Sequence, residues 1–233
     1  MADPGIGPAV LKLTLERVVP SGIALITSWI KGKEIMVVGQ ARAGKTTFVQ
    51  YLQYGIFDDE KETEKTKRTK YTPRFNVKMG RDGALELVVE SAVDLQGQIG
   101  PIEHANMVFD HKPDAVIIFT DLTTPLRGEP DRASAAWIEE FCEQLESRWR
   151  AKKHRSNPLK SLIVVMNKCD KVDGKLIERR RREFKKILKA NLNHALGRME
   201  DLIEIIPCSV VTNPDGTKKV DSLITQLAIA LAK

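Results

Sequence analysis

Two spacings of apolar residues succeed one another along this chain, and between them they lay out most of its elements. A period of two, or a short unbroken apolar run, marks a strand; a period near 3.6 marks one face of a helix. Residues 34–38 form a mostly apolar run that ends at Gly39, and an amphipathic segment at 48–53 follows after a short glycine-bearing loop. Residues 75–79 and 84–93 predict two strands joined through Gly80-Arg81-Asp82-Gly83, a connection suited to an antiparallel hairpin. Buried-type strands are predicted at 115–119, 162–166 and 203–206, and helices at 133–149, 176–192 and 220–231. In the first of these helices Ala136, Trp137, Phe141, Leu145 and Trp149 recur at helical spacing. Strands that alternate with helices imply an α/β domain whose mostly parallel sheet is covered on both faces.

Outside this frame the pattern is weaker. Residues 1–8 hold two prolines and two glycines, which predicts an unstructured lead. Residues 9–30 are apolar but interrupted by Lys12, Glu16, Arg17 and Pro20. Leu11, Leu13 and Leu15 alternate as in a strand, whereas Ile23, Ile26 and Ile30 repeat as on a helix, so both readings stay open. The segment either packs on the domain that follows or lies on a membrane or partner surface with Trp29 at the interface. The expected division is therefore an N-terminal extension at 1–31 and one domain at 32–233. Residues 58–70 are dense in charge and nearly free of apolar side chains, which predicts a mobile loop that orders on binding.

Composition adds limits rather than an activity. With 233 residues the chain can bury one substantial core, and a formal charge of +6 admits an anionic partner without requiring one. Cys142, Cys169 and Cys208 lack metal-ligand spacing, which suits reduced thiols in a cytoplasmic compartment. No apolar run is long enough to span a bilayer, and signal-peptide, myristoyl and prenyl patterns are absent; the expectation is a cytoplasmic protein, peripheral at a membrane face if 9–30 or the basic helix 176–192 touches one. That helix carries Arg179, Arg180, Arg181, Arg182, Lys185, Lys186 and Lys189 with Phe184 as its one ring, a composition that argues against nucleic acid.

Candidate chemistry begins after the first strand. Gly39-Gln40-Ala41-Arg42-Ala43-Gly44-Lys45-Thr46 is a G-x-x-x-x-G-K-T phosphate loop in the strand-loop-helix setting that the pattern requires, with Thr47 continuing into the helix. Gly39 and Gly44 permit backbone conformations closed to other residues, so that successive N–H groups converge on phosphate oxygens. The helix adds its positive end. Lys45 is placed to reach the β- and γ-phosphates, and the Thr46 hydroxyl to complete the shell of a Mg²⁺ ion. Three more strand ends carry polar sets: Asp94-Leu95-Gln96-Gly97-Gln98, Asn167-Lys168-Cys169-Asp170 and Cys208-Ser209-Val210. In an open α/β sheet those ends share one edge and surround one ligand.

In order and spacing these motifs resemble the Ras-like small GTPases, over residues from about 34 to the C-terminus. The resemblance implies a three-layer P-loop G domain with a mostly parallel six-stranded sheet, one strand of it antiparallel. It implies a molecular switch that binds GTP and GDP with Mg²⁺, hydrolyses GTP slowly, and meets effector, exchange-factor and activator proteins through loops near 58–72 and 94–112. Asn167-Lys168-Cys169-Asp170 matches the N-K-x-D guanine motif. There Asp170 accepts the N1 proton and exocyclic amine of guanine, Asn167 ties the base loop to the phosphate loop, and the Lys168 stem covers a ring face. Asp94 to Gln98 looks like the D-x-x-G-Q switch: Asp94 holds Mg²⁺ through a water, Gly97 N–H senses the γ-phosphate, and Gln98 orients the attacking water. Ser209 and Val210 correspond loosely to the S-A-K loop, with a Val210 N–H for the guanine oxygen, although Val211 stands where the family usually has lysine. Thr72, three residues before Phe75-Asn76-Val77, fits the Mg²⁺ threonine of the ADP-ribosylation-factor branch; Thr66 and Thr69 are the other candidates. Ala41 replaces a glycine common in Ras proteins, and Arg42 lies next to the phosphates. Two other readings remain: a GTP-binding scaffold or receptor subunit without turnover, and an ATP-using P-loop protein.

Overall fold

The structure, a computed structural model, describes residues 33–54, 70–72, 75–79, 85–94, 99–127, 133–151, 159–192, 203–210 and 214–232. The expectations for the extension, for most of the charged run 58–70, for Thr66 and Thr69, and for Gly97 and Gln98 lie outside those residues. Element order is β1 (Lys33–Gly39), α1 (Lys45–Tyr54), β2 (Lys70–Thr72), β3 (Phe75–Met79), β4 (Leu85–Asp94), α2 (Pro101–His111), β5 (Ala115–Asp121), α3 (Ser134–Ala151), β6 (Ser161–Asn167), a 3₁₀ turn (Cys169–Lys171), α4 (Gly174–Asn191), β7 (Ile203–Pro207) and α5 (Pro214–Ala232).

The seven strands among the described residues form one sheet in the order β2-β4-β1-β5-β6-β7, with β3 also paired to β4. Strands β4, β1, β5, β6 and β7 run parallel, and β2 and β3 run antiparallel to β4. The expected strand count was six; the extra segment arises because two pieces lie in succession along one edge of β4. Lys70 to Thr72 face Asp94 to Ala92, and Phe75 to Met79 face Val89 to Leu85. Pro73 stands between them in sequence and has no N–H to give a ladder. Lys70 and Thr72, at and just beyond the end of the charge-dense run, are thus strand residues.

Alternation along the central strands feeds two cores. Ile35 and Val37 of β1 belong to one, with Phe48 and Leu52 of α1 and Leu223, Ile224 and Leu227 of α5. Met36 and Val38 belong to the other, with Val108 of α2, Phe141 and Leu145 of α3, and Phe184 and Leu188 of α4. A sheet apolar on both faces and clad by helices is the reason β5 and β6 are buried along their whole length. Cys142, Cys169 and Cys208 are all buried free thiols. None of the described helices is long and apolar enough to cross a membrane.

Helix α2 was not foreseen. Its signals are nonetheless local: Pro101 opens its first turn, Ala105, Val108 and Phe109 turn to the core, and Lys112 closes it in a left-handed conformation (φ 52°) with its N–H on Val108 O at 2.9 Å. The chain leaves β1 toward β4 on one side and reaches β5 on the other. The loop after β1 therefore sits where the strand order reverses, the place at which open α/β sheets bind ligands.

Candidate functional site

The loop between β1 and α1 takes its shape from two glycines whose backbone conformation strains any other residue. Gly39 has φ 130°, and a Cβ there would fall 2.1 Å from the Phe119 carbonyl oxygen of β5. Gly44 has φ 97°, and a Cβ there would fall 2.3 Å from Asn167 Nδ2. Behind the loop the Phe48 and Phe119 rings meet at 5.2 Å, seating the start of α1 on the sheet. Lys45 is only 6% exposed and donates to the carbonyls of Gly39 (2.9 Å) and Gln40 (2.6 Å), folding its ammonium back over the loop. Ala43 is buried; Ala41 and Arg42 are exposed; Thr46 and Thr47 are half-buried in the first turn of α1. Gln40 is 7% exposed.

The loop after β6 is joined to this one by a single side chain. Asn167 Nδ2 donates to Ala43 O at 2.9 Å, and its Oδ1 accepts the Val210 N–H at 2.9 Å. One carboxamide thus links the phosphate loop, the end of β6 and the loop after β7. The Val210 N–H, expected to face a purine oxygen, is engaged by Asn167 instead. Ser209 is buried and fixes the neighbouring acid: its hydroxyl accepts from Asp170 N–H at 3.1 Å and donates to Asp170 Oδ1 at 2.5 Å, with Cys169 Sγ 3.2 Å away. Asp170 itself is exposed, so an oriented carboxylate faces outward from the 3₁₀ turn.

Lys168 was expected to offer its stem to a ring, and the structure adds the anchor for its head. Its ammonium bonds Asp121 Oδ2, while Asp121 Oδ1 takes the Thr123 N–H (2.9 Å) and hydroxyl (2.6 Å). Asp121 closes β5 and pairs in register with Asn167 of β6, so adjacent strand ends bring the two charges together. Sequence reading missed this carboxylate as a functional group; its signal was an acid terminating a buried strand beside the strand that ends in Asn-Lys.

Among the described residues three other than glycine have positive φ; two of them lie in these loops, Arg42 (61°) and Lys168 (63°), the third being the α2 cap. Such conformations cost on the order of 1–3 kcal/mol each and cluster at ligand sites. Asp94 ends β4 beside Val37 of β1, and Thr72 pairs with Ala92; of both, only the backbone is described. The structure therefore brings the 39–47, 167–170 and 209–210 sets together at one sheet edge and sets the Asp94 and Thr72 backbones on the strands beside it. Among the described residues no group of three or more His, Cys, Asp or Glu side chains could cage a metal ion.

No protein-family model and no curated protein matches the chain. Among solved structures, it is similar to translation elongation factor SelB from Methanococcus maripaludis in complex with the GTP analogue GppNHp, at 20% identity and a TM-score of 0.47. That alignment covers 84% of this chain, which spans only 34% of the other.

Proposed function

We propose that this chain is a P-loop G domain that binds GTP and GDP and hydrolyses GTP slowly, as a molecular switch. The observation that carries the reading is the Asn167 carboxamide, which clamps Ala43 O of the phosphate loop and the Val210 N–H at once. Loops from distant parts of the sequence are thereby tied to one another at the sheet edge where open α/β folds bind ligands, which supports the reading.

In this reading the loop 39–46 wraps the β- and γ-phosphates, the α1 terminus contributes its positive end, and Lys45 turns its ammonium from loop carbonyls to phosphate oxygens. Asp170, oriented by Ser209, accepts the paired donors of guanine. Adenine lacks that donor pair, and a carboxylate covered by the wrong base would lose water without gaining donors in exchange. Lys168, anchored by Asp121, lays its stem along the ring.

Magnesium suits the donor chemistry. Mg²⁺ keeps several waters and takes one or two protein oxygens together with phosphates; the Thr46 hydroxyl, at the first turn of α1, would bind it directly and Asp94, ending the neighbouring strand, through a water. The ion would neutralise charge on the transferring phosphate. Gln98 would orient the attacking water, Gly97 would sense the γ-phosphate, and Thr72 would join the Mg²⁺ shell. Effector, exchange-factor and activator proteins belong to the same proposal, as does a cytoplasmic location with peripheral membrane contact through 9–30.

The test is to denature purified protein and chromatograph the released nucleotide, then titrate the stripped protein with labelled GTP against unlabelled ATP. GDP or GTP in the extract, with ATP failing to compete, is the expected result; competition by ATP would overturn the base assignment. Slow single-turnover GTP hydrolysis that Gln98→Leu abolishes supports the switch, whereas turnover indifferent to that change favours a scaffold.

A further inference from the structure

Away from the candidate nucleotide site, the helix with the densest positive charge borders a concavity. A cleft of about 390 Å³ lies between the loop that follows β5 and the N-terminal half of α4, lined by Leu126, Arg127, Leu176, Arg179, Arg180 and Glu183. Its size is near the bottom of the range for small-ligand sites, about 300–1,000 Å³, enough for one or two inserted side chains.

The cations around it are not equivalent. Arg180 is 6% exposed and structural: its guanidinium donates to Ser134 Oγ at 3.0 Å and Thr124 O at 2.9 Å, pinning the β5 loop and the start of α3 to α4. Burial, and then the charge of Arg179, lower its proton affinity, so an anion arriving here would offset both penalties. Arg127 has a 61% exposed side chain held over the cleft by Glu139 (3.3 Å) and Glu183 (3.0 Å). Arg179 is exposed, and Lys175, Arg182 and Lys186 extend the same stripe along α4 at helical spacing.

We infer that this cleft is a docking site for an acidic protein segment, which sets carboxylates against Arg127 and Arg179 and inserts one apolar side chain between Leu126 and Leu176. Glu139 and Glu183 already meet Arg127, so the positive excess comes from Arg179 and the stripe that continues it, and that excess beside a concavity selects the occupant. A bilayer is flat and cannot enter the cleft, and the outer face of α4 presents Lys175, Arg179, Arg182, Lys185 and Lys186 with no exposed apolar residue to insert. Single-stranded nucleic acid binds through stacking on aromatic rings, and Phe184, the one ring of α4, is fully buried. A protein segment with a carboxylate on each side of a leucine matches the exposed Arg127 and Arg179 and the half-buried Leu126 and Leu176 of the lining. This assignment stands apart from the nucleotide reading and does not require it.

The test titrates the full chain, at physiological salt, into fluorescein-labelled acidic peptides that differ only in a central leucine or alanine, followed by polarisation. The leucine peptide should bind below about 100 µM, and at least about fivefold tighter than its alanine twin. Arg127→Gln combined with Arg179→Gln should weaken it about tenfold; Lys185→Gln combined with Lys186→Gln, which removes the same charge from outside the cleft, should weaken it less than about twofold. Leu176→Asp, with an unchanged melting curve, should abolish the leucine preference. Equal losses in both double variants would mean a diffuse basic field and overturn the assignment. So would tighter binding to phosphatidylserine vesicles or single-stranded DNA than to the peptide.

Discussion

Removing the Asn167 carboxamide tests whether one side chain holds the candidate site together. In Asn167→Ala the carbonyl of Ala43 loses its donor and the Val210 N–H loses its acceptor, both now at 2.9 Å and both in buried residues. A buried polar group deprived of its partner costs about 1–3 kcal/mol. Water admitted past the exposed Ala41 and Arg42 would re-solvate part of the carbonyl, so the sum should be about 2–4 kcal/mol. Urea unfolding followed by circular dichroism measures it directly, provided the slope against denaturant is unchanged. Asn167→Asp sharpens the test. It keeps an acceptor for Val210 but sets a carboxylate oxygen against Ala43 O, and acceptor facing acceptor should cost as much as alanine or more. If the nucleotide reading is right, GTP affinity should fall about a hundredfold in both variants. A stability loss under about 0.5 kcal/mol for alanine, or an aspartate variant as stable as the parent, would refute the clamp.

Other outcomes are open to measurement. Gly39→Ala forces a Cβ to 2.1 Å from the Phe119 carbonyl, a backbone atom that cannot swing aside; severe loss of soluble folded protein is expected, and a variant melting within a few degrees of the parent would contradict the packing. Asp170→Asn should move preference from guanine to xanthine nucleotides, read by competition binding, while barely changing the melting temperature because Asp170 is exposed. Tyr51 donates its hydroxyl to Asp221 at 2.8 Å across α1 and α5, and Tyr51→Phe should cost about 1 kcal/mol in denaturant unfolding. Burial raises the Asp221 carboxyl above its usual range, against the weaker lowering pull of the Tyr51 bond. A folded-state value above the unfolded one gives stability that is full in acid and fades as pH rises through the folded value. Asp221→Asn, which can still accept from Tyr51, should therefore gain on the parent as pH rises above the usual carboxylate range; a gap independent of pH would contradict this.

The legible parts of the molecule were those whose physics is local. Gly39 and Gly44 announce backbone of positive φ, the apolar runs 115–119 and 162–166 announce strands buried on both faces, and Asn-Lys-x-Asp after such a strand announces a polar loop at the same sheet edge as the glycine loop. What stayed hidden depended on pairing between strands. Asp121 becomes the anchor of Lys168 only once β5 and β6 are in register, and Val210 can be assigned to Asn167 only once β7 lies beside β6. Arg180 was hidden by its neighbours, since four successive arginines suggest a solvated turn. Its spacing to Phe184, Ile187 and Leu188 nevertheless puts it on the buried face of α4. Helix α2 was overlooked because its apolar stripe is short, although its proline start and left-handed end are ordinary capping signals.

The sheathed thiols provide an internal stopwatch. Burial pushes the Cys142 sulfhydryl up, away from the reactive thiolate, so an alkylating reagent must wait until the α3 layer lifts from the sheet. Cys169 waits on something smaller, the parting of its own turn from the loop after β7, whose Ser209 oxygen lies 3.2 Å from its sulfur. Labelling half-lives read separately at Cys142 and Cys169 in one sample would thus separate breathing of the candidate-site loops from lifting of the α3 layer.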